Sequence, residues 1–207
     1  DEDILRGKAA ATPRRASPPA KSRRPARNEL HVILDAGHGG SDPGTMMRGW
    51  VEDEIAYDLM IRIKLSLQTS GVKVYSTVRE KKTGDRVNNG STLANNRDEY
   101  VKVTPEYYMA DSRIALNLRI YLIEDLYRWM LQRGIPAENI FLISIHLDHL
   151  HPALDGAMIY FPGAAERASQ YKAAGSIYRS YKESRYGVIS FSRREIENAE
   201  IASEKYA

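Results

Sequence analysis

The stretch His31-Val32-Ile33-Leu34-Asp35-Ala36-Gly37-His38-Gly39-Gly40 decides how the chain is read. Val32, Ile33 and Leu34 form a short apolar run of the kind that becomes a buried strand. The run stops at Asp35, and a loop of small residues follows. Glycines there let the backbone turn sharply and approach whatever His38 holds. A strand that ends in a tight loop bearing an acid and a histidine is how α/β folds present reactive or metal-binding side chains.

Working outward, a turn at Ser41-Asp42-Pro43-Gly44 precedes a helical pattern with Val51, Ile55, Leu59, Ile63 and Leu67 spaced by four. Glu52, Asp53 and Glu54 fall in its first turn. Acids there complement the helix dipole, and they also put a carboxylate beside the glycine loop. Gly71 ends the helix, and residues 72–78 alternate as a strand, which completes a βαβ unit and predicts a parallel pair. Residues 80–110 are polar and are expected to form a long surface loop or insertion bordering the site. A second helical pattern runs from Asp111 to about Arg133, with Ile114, Leu118, Tyr121, Leu122, Leu126, Trp129 and Met130 as its stripe, and Gly134 and Pro136 stop it.

Ile140 to Ile145 is almost purely apolar and reads as a central buried strand. It ends in His146-Leu147-Asp148-His149-Leu150-His151. Ligands of open α/β sheets gather at the carboxyl ends of strands, so His38 and His146 are expected to meet despite their separation in sequence. Further on, residues 156–161 suggest another strand, 164–182 a helix, and 192–207 a last helix whose pattern is still running at Ala207. The predicted fold is α/β: a single domain with a mostly parallel twisted sheet flanked by helices.

Composition bounds the chemistry. The 207 residues carry a net charge of +3 and no cysteine, which excludes disulfides and thiolate metal sites and leaves His, Asp and Glu as transition-metal ligands. No apolar run is long enough to span a bilayer, and the acidic Asp1-Glu2-Asp3 start is unlike a signal peptide. Residues 1–28 form a Pro/Ala/Arg-rich segment whose positions 4–28 hold eight basic residues and no acid. Such a segment is expected to be a disordered tail or linker, able to touch anionic polymer. It lacks interleaved aromatics, so no specific nucleic-acid recognition is expected.

His38, one acid of the first helical turn and His146 make a two-histidine, one-carboxylate set with room for water, a usual layout for hydrolytic zinc. His31 is expected to be structural, His149 and His151 to be loop or rim residues, and Tyr107, Tyr108 and Tyr160 to line a groove or pack in the core. The blocks Asp35-Ala-Gly-His38-Gly-Gly-Ser-Asp42-Pro-Gly44, Glu52 opening a helix, Thr77-Val-Arg79, Ser144-Ile-His146-Leu-Asp148 and Gly156-Ala-Met-Ile-Tyr160 together resemble the zinc-dependent N-acetylmuramoyl-L-alanine amidases of bacterial cell-wall turnover.

The resemblance runs from about Leu30 to the end, so 29–207 is expected to be the catalytic domain. It implies one zinc held by His38, Glu52 and His146, with Glu52 preferred over Glu54 because Ile55 and Leu59 fall on the family's apolar helix positions. Asp148, Arg79 and Asp35 are implied as residues supporting the ligands or facing substrate. The implied reaction is hydrolysis of the amide between N-acetylmuramic acid and L-alanine in peptidoglycan, in the cell envelope. The family's general-base Glu lies on a strand near the C-terminus that has no match here, so that Glu is expected beyond Ala207. The expectation is therefore a domain truncated at its C-terminal end, with Glu54 the nearest in-chain candidate. The alternative is an inactive peptidoglycan-binding module of the same fold.

Overall fold

The computed structural model describes residues 29–89, 93, 95–148 and 156–206. The basic segment 1–28, with its expected polymer contact, and the histidines His149 and His151 lie outside the described residues. So does Ala207, beyond which the general-base Glu is expected.

The fold is α/β. Strand β1 (His31–Ala36) is buried along its whole length and is the middle strand of a parallel sheet ordered β4-β1-β8, with β4 (Lys73–Ser76) and β8 (Ile140–Ile145) on its flanks. Its side chains pack on both faces. Val32, Leu34 and Ala36 join Ala56, Met60, Ile61, Leu118 and Leu122 of the helices in the main core, while Ile33 meets Met130 and Ile135 in a second cluster. Burying Val32, Ile33 and Leu34 contributes roughly 1.5–3 kcal/mol each.

Helix α1 (Glu52–Thr69) follows two short strands, β2 (Met46–Met47) and β3 (Trp50–Val51), and links β1 to β4 as the βαβ pattern requires. Its buried face differs from the expected one. Ala56, Tyr57, Met60 and Ile61 are buried, Leu59 is exposed, and Val51 belongs to β3. Steps of four residues advance 400° around a helix, so the expected series drifts by about 40° per step and leaves the core-facing side. Helix α2 (Ser112–Gln132) starts at Asp111, whose carboxylate accepts the Ile114 amide at 2.9 Å. It ends at Gly134, in the left-handed region at φ 80°.

Other expectations are corrected. The predicted strand over 72–78 breaks at Thr77, where the chain leaves the parallel sheet. It then enters a small antiparallel sheet of β5 (Val78–Glu80), β6 (Glu99–Val101) and β7 (Tyr107–Tyr108), so the region 80–110 is not all loop. Among the described residues β8 lies at an edge of its sheet rather than at its centre, and Leu142 and Ile143 are 52% and 42% exposed. Residues 156–161 form no strand, and Tyr160 is exposed. In place of a helix over 164–182 there are 3-10 turns at Ala164–Glu166, Ile177–Ser180 and Lys182–Tyr186, and β9 (Gln170–Tyr171) pairs with β10 (Ile189–Ser190). Apolar content alone does not distinguish a strand from a packed irregular segment when its neighbours are distant in sequence. The last helix, expected over 192–207, is present as α3 (Arg193–Tyr206). No helix among the described residues is long and apolar enough to cross a membrane.

Candidate metal centre

The register of the parallel sheet brings the two histidines together. Asp35 lies opposite Ser144 and Ala36 opposite Ile145, and the Gly37 amide continues the ladder to the Ile145 carbonyl at 2.8 Å. β1 and β8 therefore end level with each other, His146 directly after Ile145 and His38 two residues after Ala36.

Asp35 ties these strand ends. Its carboxylate accepts the Thr77 and Ser144 hydroxyls, the latter at 3.0 Å, and the Arg119 guanidinium lies 3.7 Å away. Arg119 is buried and also donates to the carbonyls of Ala36 and His38, which pins the glycine loop from below. His38 sits in the left-handed region at φ 60°. That conformation costs a non-glycine residue of order 1 kcal/mol, and the surrounding hydrogen bonds hold it in place.

Three side chains converge. One ligand atom from each of His38, Glu52 and His146 lies within 4.8 Å of the others. His38 Nε2 and His146 Nδ1 are each 3.2 Å from the same oxygen, Glu52 Oε1. Two atoms bound to one tetrahedral zinc at about 2.0–2.1 Å stand about 3.3 Å apart, so the spacing and the N/O donor set both fit zinc. The ring planes of the two imidazoles cross at 84° with centroids 5.2 Å apart. His38 Nδ1 faces Asp42 Oδ2 at 3.1 Å, a contact that orients the ring and leaves Nε2 for the centre.

Glu52 is buried, and its carboxylate is set by backbone donors: the Thr45 amide on Oε2 at 2.8 Å and the Leu147 amide on Oε1 at 3.0 Å. Burial pushes its pKa up, but these amides and the nearby His38 outweigh burial and hold the carboxyl below its ordinary value. Close packing favours two glycines here. A Cβ at Gly37 would stand 2.5 Å from the His146 ring, and one at Gly44 would stand 2.7 Å from both Glu52 and His38.

The other predicted residues have surroundings of their own. Asp148 is exposed beyond His146. Arg79, on β5, is paired with Glu106 and stands over the Tyr100 ring. Glu54 accepts the Asn96 amide at 2.6 Å and groups with Asp53 and Glu99 rather than with the imidazoles. Burial, with Asp53 and Glu99 adding to it against the Asn96 amide, pushes its carboxyl up to about 7. Glu54, the in-chain candidate for the base, thus has its carboxylate engaged by Asn96 within this acidic group. His31 is buried and faces the Tyr75 hydroxyl, as a structural residue does. Asp42, Arg119 and the amides of Thr45 and Leu147 were not singled out as site groups in the sequence. Only Asp42, at the turn after the glycine loop, carries a local signal that could have marked it.

No curated protein and no solved structure matches the chain. A family model does match, and it supports amidase activity on peptidoglycan in general. Over residues 32–105, which carry His38, Asp42 and Glu52, the chain bears the sequence pattern of the N-acetylmuramoyl-L-alanine amidase family.

Proposed function

We propose that this chain is a zinc-dependent amidase that cleaves the bond between N-acetylmuramic acid and L-alanine in peptidoglycan, with residues 29–207 as its catalytic unit and the cell envelope as its place of action. One observation carries the reading: two imidazoles from separate strand ends meet one buried carboxylate oxygen at 3.2 Å each. In this reading His38 binds through Nε2, His146 through Nδ1 and Glu52 through Oε1. Zinc, when bound there, supplies Lewis acidity: it polarises an amide carbonyl and makes water a better nucleophile near neutral pH.

The chain's own groups prepare the site. Asp42 holds the tautomer of His38, the Thr45 and Leu147 amides keep Glu52 ionised and aimed, and Asp35 fixes the two strand ends in register. His146, with its side chain 48% exposed, opens the centre to a polymeric substrate. Hydrolysis also needs a carboxylate to carry a proton from water to the leaving amine. The Glu54 carboxylate is engaged by Asn96, so in this reading that proton is carried by another group.

The test is to load the chain with zinc, incubate it with purified peptidoglycan and measure both metal content and newly exposed L-alanine amino groups. One zinc per chain and a rise in amino groups, both lost in His146→Ala, are expected. Zinc bound at full occupancy with chain co-sedimenting on peptidoglycan but no new amino groups would overturn hydrolysis in favour of a binding module of the same fold.

A further inference from the structure

A second group of ligand-type side chains lies on the other side of the α1 N-terminus, and the reaction proposed above makes no use of it. Asp53, Glu54 and Glu99 are 2%, 5% and 3% exposed, and each brings one carboxylate oxygen within 4.8 Å of the others. We propose that these three residues form a separate site for a hard divalent cation of the calcium, magnesium or manganese class, which ties α1 to β6 and to the glycine loop.

The hydrogen bonding points to a missing positive charge. One oxygen of each carboxylate is already engaged by a backbone amide: Asp53 Oδ1 by Glu54 at 2.8 Å, Glu54 Oε1 by Asn96 at 2.6 Å and Glu99 Oε2 by Gly40 at 2.6 Å. The second oxygens of Asp53 and Glu99, Oδ2 and Oε1, are shut off from solvent and accept nothing. Glu80 and Asp98, also buried, add further acid to the same pocket, and Asp98 Oδ1 is a third shielded, unpartnered oxygen. Among the described residues, none of these five carboxylates has an ion-pair partner.

Buried charges are kept in proteins by pairing or by metal coordination. A spread of up to 4.8 Å is what oxygens on one ion allow when metal–oxygen distances are about 2.1–2.4 Å. The donors are oxygen only, which suits hard cations, whereas the two imidazoles beside Glu52 suit zinc. The site does not depend on the zinc reading, since it shares no residue with it.

The experiment uses the full chain, stripped with EDTA, given one equivalent of zinc, then titrated separately with calcium, magnesium and manganese chloride to about 10 mM, ten times the weakest usual affinity of such sites. Bound metal per chain and Tm are read. The expected result is one further ion per chain and a Tm that climbs with its concentration. At least tenfold weaker uptake is expected in Glu99→Gln and in Asp53→Asn, each of which keeps an acceptor for its backbone amide, with zinc still at one per chain. No uptake of any of the three ions by the wild-type chain overturns the proposal. So does unchanged uptake in either substituted chain. A Tm rise in Glu99→Gln without added cation, coupled with no uptake by the wild type, would instead assign the cluster to carboxyls sharing protons. Should one variant fail to fold, the other and the wild-type titration still decide the matter.

Discussion

Gly37→Ala separates the proposed metal role of His146 from its role in folding. The added Cβ would stand 2.5 Å from Cε1 and Nδ1 of the His146 ring and 2.9 Å from Nε2. Carbon contacts relax to about 3.5–4.0 Å, so the ring has to retreat by roughly 1 Å. Metal–ligand distances tolerate about 0.2 Å, and a displacement of that size takes His146 out of coordination. Zinc affinity is then expected to fall about 100-fold, equivalent to about 2.7 kcal/mol.

The cost to the fold is smaller. Gly37 is outside the left-handed region, so alanine meets no backbone strain there, and the half-exposed His146 side chain can swing into solvent. The metal-free variant should lose only about 1 kcal/mol, at the low end of overpacking costs. Zinc competition against a chelator gives the first quantity, and urea unfolding in EDTA gives the second. A zinc affinity within about threefold of wild type would refute the placement of the His146 ring against Gly37. A loss of more than about 3 kcal/mol in the metal-free chain would refute the claim that the ring is free to move.

Other substitutions probe the scaffold. Asp35→Ala removes the acceptor of two hydroxyls and leaves Arg119 with less compensation; a loss of about 3–5 kcal/mol is expected by urea unfolding. Asp111→Ala deletes the cap of α2 and should cost about 1 kcal/mol in the same assay. Burial lowers the pKa of His31, partly opposed by Glu29, so the folded chain binds its proton less readily than the unfolded chain does. The stability this contributes is present above about pH 6.5 and lost as pH falls through the folded value; Tm should drop between about pH 7 and 5, less steeply in His31→Gln. The Arg79 hydrogen bond holds the Glu106 carboxyl below its ordinary value, so this pair stabilises above the usual carboxylate range and fades as acid is added. Both side chains are about a third or more exposed, and Glu106→Gln should cost under about 1 kcal/mol.

What the sequence disclosed follows from how local each signal is. Val32 to Leu34 and the glycine loop lie side by side, so the central strand and the place of His38 could be read directly. The meeting with His146 followed from the rule that strand ends share a face, and the register Asp35–Ser144 satisfies it. The buried carboxylates were hidden because their partners are remote: Glu99 reaches Gly40 across 59 positions, and Glu54 reaches Asn96 across 42. In sequence, Asp53 and Glu54 had a sufficient explanation as dipole partners at a helix start. The apolar run of β8 promised a central strand for a related reason, since propensity records what a residue suits and not which neighbours cover it.

Three acids in a row open α1, yet they serve two different neighbourhoods. Successive residues on a helix point about 100° apart, so Glu52 turns to the imidazoles while Asp53 and Glu54 turn to Glu99. The phase of that first turn is therefore common property. With the core side of the helix fixed by Ala56, Tyr57 and Met60, deleting Ile55 would turn the whole trio by about 100°, carry Glu52 away from the imidazoles, and dismantle both neighbourhoods at one stroke.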